Sequence, residues 1–253
     1  MPVAGERNRM QVTLRESSSI LKDWRAGLDV DSVLRGQGAD PAAIRARKPA
    51  IIGFAERALA EGLTLLDPVV IYRRLPVESV RHERIRLRGG NFLTGKLVAE
   101  HLAAAQEIVV IAATIGAGVE DLISQMLQRD PMYALALDGF GNAAVETLAV
   151  ATCHHFSEAA EAEGISASIP ISPGTMGWPA EVGQKEIFAV LDTDETGLKL
   201  SSYGVMIPRK SVSMVLGVGP DMMTDASACD YCSMQSTCRY QDITGRLSRE
   251  SRK

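Results

Sequence analysis

Three of the four cysteines lie within a ten-residue segment, at Cys229, Cys232 and Cys238. Two residues separate the first pair and five separate the second, so a short turn brings three thiolates within reach of one metal ion or cluster. Zinc and an iron–sulfur cluster both accept thiolate ligands, and the spacing does not distinguish them. The fourth position is left to Cys153, water, another residue or a substrate. The alternative is that these cysteines are neighbours by chance.

A second candidate site is the segment Ser172–Pro179, which contains two prolines, two glycines and a tryptophan. This composition favours a rigid, irregular loop whose backbone amides and carbonyls stay free to contact a ligand. The tryptophan is suited to stacking on a flat or cationic group. The alternative is a tight connection between a strand and the next helix. The candidate ligand-binding residues of the loop are Ser172, Pro173, Gly174, Thr175 and Trp178.

A polar corner, Arg209-Lys210-Ser211, separates two predicted strands. Its cations are suited to binding a carboxylate, and Lys210 is therefore a further candidate for ligand binding. The alternative is that they are solvated.

In Cys153-His154-His155, adjacent helix positions point about 100° apart, so the three side chains do not converge on one ion. We interpret Cys153 as a packed helix residue or, at most, a distant ligand.

The composition is that of an ordinary globular chain of 253 residues, with 46% hydrophobic and 23% charged residues. The formal net charge of −4 supplies no electrostatic reason to bind nucleic acid. The first 19 residues have no apolar segment of signal-peptide length. The longest apolar run, 108–115, is far shorter than the roughly 20 residues of a membrane-spanning helix. We therefore expect a cytoplasmic protein with neither nucleic acid nor membrane as a partner.

The elements predicted from periodicity mix helices and strands without regular βαβ alternation, which favours an α+β fold. We expect three regions: an N-terminal arm (1–28), an α+β domain (29–220) and a cysteine-containing tail (221–253). The predicted helices are 42–47, 51–66, 95–107, a segment starting near 119, 132–163 and 180–194, and the predicted strands are 69–75, 84–88, 108–115, 166–171, 198–207 and 211–218.

Several segments together resemble the activation (reactivation) domain of cobalamin-dependent methionine synthase, and more closely the free-standing activation-domain-like proteins of corrinoid methyl-transfer systems. Their order and spacing over residues 29–220 carry the resemblance. The cysteine tail is similar only to that of the free-standing members. The segments are Gly95–Leu102, Ala112–Gly116, Ala134–Asp138, Ala143–Glu146, Ser172–Gly174, Gly177–Pro179 and Gly204–Ser213.

The resemblance implies a twisted antiparallel sheet with flanking helices, which binds S-adenosylmethionine and docks against a corrinoid protein or corrinoid methyltransferase. It also implies a function in restoring methyl-Co(III) on partner-bound cobalamin, with an electron-donor protein as a possible further partner. The tail cysteines would then hold an iron–sulfur cluster that passes an electron, or a zinc ion that folds the tail. The alternative is a non-catalytic docking module whose tail cysteines hold a structural metal. His82, His101, His154 and His155 lie in no catalytic motif that would support direct methyltransferase activity.

One departure from the family pattern concerns the ligand loop, which in methionine synthase resembles Arg-x-x-Pro-Gly-Tyr. In this sequence Pro170 stands at the position of the arginine and Thr175 at that of the tyrosine. The charge-assisted contact to the ligand carboxylate is absent, a loss of roughly 1.5–3 kcal/mol unless another group replaces it. Trp178 and Arg209-Lys210 are the candidates for replacing it.

Overall fold

The computed structural model describes residues 18–22, 24, 27–175 and 177–223. The strands are β1 (Ser19–Leu21), β2 (Val69–Arg81), β3 (Arg84–Leu87), β4 (Phe92–Thr94), β5 (Glu107–Thr114), β6 (Ser166–Ala167), β7 (Lys199–Leu200), β8 (Met206–Ile207) and β9 (Ser211–Gly219). The helices are α1 (Val30–Gly36), α2 (Pro41–Arg47), α3 (Ala50–Leu63), α4 (Lys96–His101), α5 (Gly118–Met126), α6 (Pro131–Ala162) and α7 (Ala180–Val190).

One antiparallel sheet runs in the order β4-β3-β2-β5-β9-β6, and β1 pairs with the first part of β2. The central strand β5 is paired along its whole length, with β2 on one side and β9 on the other. The strands β7 and β8 form a separate two-stranded hairpin. The α+β class and the antiparallel sheet predicted from the sequence are confirmed.

Side chains of β5 alternate between two hydrophobic cores, one on each face of the sheet. Val109, Ile111 and Ala113 pack into the core that also contains buried residues of α1, α3 and α6. Ile108, Val110 and Ala112 pack into the second core, with buried residues of α4 and α7. Because both faces are covered, the strand is apolar along nearly its whole length, which explains why it was predicted correctly.

The longest helix, α6, crosses α1 at two glycines. A Cβ atom built on Gly36 would lie 2.0 Å from the carbonyl oxygen of Gly139, so the two backbones approach too closely for a side chain. The sequence predicts that Gly139 and Gly141 admit a neighbouring helix, and this is confirmed for Gly139. Gly141 instead makes room for the side chain of Lys210.

Within the described ranges, no helix is both long and apolar enough to cross a membrane.

Several boundaries differ from the prediction. The helix predicted over 95–107 ends at His101, because the chain turns before entering β5. Strand β2 continues beyond residue 75 to Arg81, where it forms a long hairpin with β3, and its register shifts between Val77 and Ser79. Strand β1 forms within the segment predicted as an N-terminal arm. The division into three regions stays a prediction.

Candidate functional site

Residues 172–175 and 177–179 form a compact loop between the sheet and α7. The preceding residue, Ile171, exchanges two backbone hydrogen bonds with Val215 of β9. Inside the loop, the amides of Gly174, Thr175 and Trp178 donate to loop carbonyls at 2.8, 3.2 and 3.0 Å. An irregular loop is therefore present as predicted, and it also forms the tight connection between the sheet and the next helix that the alternative describes. The expectation that its amides stay free is wrong for these three residues, because the loop closes on itself.

Trp178 anchors this loop in the core between the sheet and α7. Its side chain is fully buried, and its indole N–H donates to Oε2 of Glu186 at 2.9 Å. The same carboxylate accepts the backbone N–H of Thr94 at 3.0 Å and the Thr94 hydroxyl at 2.5 Å. Glu186 therefore ties together α7, strand β4 and the loop. In this structure the indole ring is covered by protein rather than presented to a ligand.

Gly183 supplies the space that Trp178 occupies. A Cβ atom at this position would lie 2.6 Å from Cε2 of Trp178 and 2.9 Å from Cβ of Pro173. Both neighbours are rigid, so neither can move away at low cost. Pro173 thus contributes to packing of the loop against α7 rather than to an open surface.

We predict that Gly183→Ala lowers the free energy of unfolding by about 1–3 kcal/mol, because the added methyl overlaps the indole ring. Gly53→Ala is the matched control: it also lies inside a helix, has no neighbouring atom within 4 Å of the added Cβ, and should stabilise by about 0.5–1 kcal/mol. Urea denaturation followed by circular dichroism measures both. Equal effects of the two substitutions would contradict the packing at Gly183.

Thr175 has a hydroxyl with unused hydrogen-bonding capacity. Its Oγ1 is buried, and no hydrogen-bond partner for it occurs among the residues that the structure describes. The adjacent Met176 lies outside those residues. Buried hydroxyls are normally paired with protein or water. Among the predicted loop residues that the structure describes, Thr175 is the one whose buried side-chain oxygen lacks a partner.

Lys210 lies on the opposite face of the sheet from Trp178. Its ammonium donates to the Asp138 carboxylate at 2.5 Å and to Oδ1 of Asn142 at 2.7 Å, both on α6. The neighbouring Arg209 pairs with Glu120, whose Oε2 accepts the Arg209 backbone N–H at 2.8 Å. The predicted ligand-binding residues are thus divided between two faces. Lys210 is largely buried and pairs with Asp138, whereas Arg209 pairs with Glu120 and remains exposed to solvent, as the alternative expects.

The Arg209 contact affects the acidity of Glu120. Partial burial raises the pKa of this carboxyl, and the backbone N–H and guanidinium of Arg209 lower it by more, so the pKa is below its ordinary value. Lys210 also lines a small groove of about 350 Å³ together with Glu146. Burial raises the pKa of the Glu146 carboxyl. The small groove that Glu146 and Lys210 line contains no residue of the loop.

A larger open groove of about 1180 Å³ lies beside the end of the loop. We call it the hairpin groove, because one wall is the turn between β2 and β3. Gly95 and Gly177 form its base, and a Cβ atom on Gly95 would lie 2.5 Å from the Gly177 carbonyl oxygen. Its lining includes Arg81, Glu83, Arg84, Phe92 and Val182. Sequence reasoning missed this groove.

Cys153 lies on α6, with its Sγ 3.5 Å from Sδ of Met214. Burial raises the pKa of this thiol to about 12, so it is protonated near neutral pH. His154 faces Glu158 instead, and the His155 ring contacts Phe156. The interpretation of Cys153 as a packed helix residue agrees with these contacts. Across the described ranges, no three His, Cys, Asp or Glu side chains are grouped to hold a metal ion.

The cysteine cluster Cys229, Cys232 and Cys238 lies outside the described residues and stays a prediction. We predict that Cys153→Ser leaves the metal content of the anaerobically purified protein unchanged, because a buried neutral thiol is a poor ligand. Cys232→Ser is expected to reduce the bound metal several-fold. Elemental analysis of both variants beside the unmodified protein measures this. Loss of metal from Cys153→Ser alone would contradict the assignment.

Comparison with known proteins identifies the fold. No protein-family model and no curated protein matches the sequence. The solved structures that resemble the chain include the crystal structure of the MetH reactivation domain bound to AdoHcy, at 16% sequence identity and a TM-score of 0.56. The match covers 92% of this chain and 88% of that chain. At this identity the comparison establishes the fold, a mixed α/β arrangement with a curled antiparallel sheet and flanking helices, as the resemblance in sequence implies.

Proposed function

We propose that this protein takes part in the reductive activation of a corrinoid protein in a methyl-transfer system, with S-adenosylmethionine as the methyl donor. The observation that carries the proposal is the fold it shares, over most of both chains, with a reactivation domain whose crystal structure holds AdoHcy. AdoHcy is the thioether that remains when S-adenosylmethionine gives up its methyl group. Fold alone does not determine activity, so the site must supply the rest of the argument.

The proposed reaction uses one electron and one methyl cation. A low-potential one-electron donor protein reduces the partner's Co(II) to Co(I). The Co(I) electron pair then attacks the sulfonium methyl, so a Co–C bond forms and the C–S bond breaks. The products are methyl-Co(III) and S-adenosylhomocysteine, and no proton is transferred. The reaction therefore requires no acid–base pair; it requires that the two reactants are held together and that water is excluded.

Two features of the structure support ligand binding at the loop. The buried hydroxyl of Thr175 has no hydrogen-bond partner in the described part of the chain, and a ligand atom that reached it would satisfy it. The hairpin groove opens directly beside Gly177 and has room for a nucleoside. Ser172 and Gly174 complete the loop, and Trp178 keeps it in place from below. We propose that the loop and the groove together form the nucleoside site.

Isothermal titration with S-adenosylmethionine and with S-adenosylhomocysteine tests nucleoside binding directly. We expect a dissociation constant in the micromolar to millimolar range for both. Gly95→Val is the informative variant, since Gly95 has a positive φ of 137° and its Cβ would press on Gly177 at the base of the groove. The absence of binding heat at millimolar ligand would refute the use of S-adenosylmethionine as methyl donor.

The second test measures the reaction on a corrinoid protein. The partner is loaded with cob(II)alamin and supplied with a chemical reductant and S-adenosylmethionine, and methylcobalamin is followed by its visible spectrum. We expect its formation to depend on this protein. A rate that is the same without the protein would contradict the proposed activation.

A second candidate function is a docking module that binds the corrinoid protein or methyltransferase without catalysis. It is favoured by Pro170, which carries no charge where the family pattern has arginine, and by the closure of the loop amides on the loop itself. The two functions differ in one measurable property. Binding of the cob(II)alamin-loaded partner should be strengthened by S-adenosylmethionine for the activator and be indifferent to it for the module.

The cysteine tail enters the proposal only through the spacing of its three cysteines in the sequence. Cys229, Cys232 and Cys238 would supply three thiolates to an iron–sulfur cluster in an electron-passing activator, or to zinc in a tail that is only structural. Anaerobic purification followed by visible spectroscopy and elemental analysis separates these alternatives. A brown, iron-containing protein supports electron transfer, and a colourless zinc protein excludes it.

A further inference from the structure

Several cations of the chain already have an ion-pair partner, among them Lys96, which lies beside Gly177 and pairs with Glu100 at 3.8 Å. Lys210 and Arg209 bind carboxylates on the opposite face of the sheet. Arg86, on the hairpin, pairs with Glu78 at 3.0 Å. These groups are therefore not available to replace the arginine that the loop lacks at Pro170. A replacement has to come from a cation that faces the loop and has no partner of its own.

Arg81 and Arg84 meet this condition. They are direct cross-strand neighbours beside the turn that joins β2 and β3, and both line the hairpin groove together with Gly177. Within the described ranges, neither guanidinium forms an ion pair or a hydrogen bond. Glu83, in the same turn, also lines the groove, and its carboxylate is likewise unpaired in the described part of the chain. The turn thus presents two free cations and one free anion to one cavity.

We propose that the hairpin groove binds the zwitterionic α-amino-acid end of a sulfonium nucleoside and of its thioether product. Arg81 and Arg84 would hold the carboxylate through guanidinium N–H groups, and Glu83 would accept the ammonium. This inference rests on the proposed function and specifies where the amino-acid end of the same ligand lies. Guanidinium groups suit the task because their planar N–H groups match a carboxylate in a bidentate geometry.

Apolar side chains that line the groove fit the remainder of such a ligand. The side chains of Phe92 and Val182 are 43% and 42% exposed, so an apolar surface is available to the methylene chain and nucleoside. The Gly177 backbone carries no side chain that would keep the ligand away from the loop. A ligand that spans the groove would therefore place its charged end on the turn and its nucleoside end beside the loop.

The test compares two ligands that differ only in the amino-acid part. S-adenosylhomocysteine carries it, and 5′-methylthioadenosine lacks it while keeping the nucleoside and the thioether sulfur. Binding of both is measured by isothermal titration for the unmodified protein, for Arg81→Gln/Arg84→Gln, and for Glu83→Gln. Arg88→Gln is the matched control, since Arg88 is an exposed arginine just beyond β3 that does not line the groove.

We expect the unmodified protein to bind S-adenosylhomocysteine at least tenfold more tightly than methylthioadenosine. The double arginine variant should weaken binding of S-adenosylhomocysteine by about 10- to 100-fold, since hydrogen bonds to charged groups are lost. Glu83→Gln should weaken it by a few-fold, and Arg88→Gln should have no effect. Methylthioadenosine binding should be unchanged in all variants. Unchanged melting temperatures would show that these exposed substitutions leave the fold intact.

Two results would overturn the inference, and they differ in what they imply for the proposed function. If the double arginine variant binds S-adenosylhomocysteine as tightly as the unmodified protein does, the amino-acid end lies elsewhere and the proposed function stands. If the unmodified protein binds neither ligand, both the inference and the use of S-adenosylmethionine as methyl donor fail.

Discussion

Replacement of Trp178 by alanine is expected to lower the free energy of unfolding by about 3–5 kcal/mol. The indole is fully buried in the core between the sheet and α7, so its removal leaves a cavity and takes away one of the three hydrogen-bond donors to the Glu186 carboxylate. Urea denaturation followed by circular dichroism measures the loss. A loss below about 1 kcal/mol would contradict the buried position of the ring, because a solvent-exposed tryptophan costs little to remove.

A second variant distinguishes the contribution of the aromatic ring to stability from that of its N–H group. Trp178→Phe retains most of the apolar volume and loses the hydrogen bond to Glu186. We expect it to cost about 1–3 kcal/mol, less than the alanine variant. If the phenylalanine variant also binds S-adenosylhomocysteine normally, Trp178 acts by supporting the loop. A large loss of affinity in a variant that remains folded would instead favour the direct stacking expected from the sequence.

The sequence patterns that predicted the fold correctly are those set by local or strongly periodic features. The apolar run 108–115 indicated a buried strand, and Asp130-Pro131 indicated the beginning of the long helix. Asp130 caps that helix by accepting the backbone N–H of Tyr133 at 3.2 Å, with Pro131 at its first position. These features depend on residues close together in the sequence, so no knowledge of packing is needed to see them.

The side-chain roles at the site depend on contacts between distant parts of the sequence. Glu186 meets Thr94 across 92 positions, and Lys210 meets Asp138 across 72. Before the sheet is assembled, Trp178 in a Pro/Gly-rich loop is as compatible with ligand stacking as with burial. The only local signals are the proximity of Gly183 to Trp178 and the position of Glu186 beside the buried Ile187.

The hairpin groove was missed for a related reason. Arg84 and Arg86 fit the alternating pattern of a strand with one solvated face, and that prediction is correct for β3. The pattern carries no information about what the solvated face meets. Only the length of β2, which extends the hairpin to Arg81, brings the turn to the end of the loop. The sequence predicts that this strand ends at residue 75. That prediction does not extend the hairpin to Arg81, so it does not bring this wall of the groove to the site.

Glu186→Ala is expected to destabilise the protein by about 2–4 kcal/mol, because three donors from two other elements lose one acceptor group. Glu181→Ala is the matched control on the same helix. Glu181 is exposed and its contact is a surface pair with Lys185, so its removal should cost far less than that of Glu186. The same urea denaturation measures both variants.

Glu186→Gln tests whether the stability that Glu186 provides depends on its hydrogen bonds or on its negative charge. An amide oxygen can accept from the Thr94 backbone and the Trp178 indole, while the amide NH₂ donates to the Thr94 hydroxyl, which reverses its direction. We therefore expect glutamine to restore most of the stability that alanine loses. In a double-mutant cycle, Glu186→Ala should cost less in the Trp178→Phe background by about 1 kcal/mol or more, since one of its three donors is already gone. Additive effects of the two substitutions would mean that Glu186 does not hold the loop through Trp178.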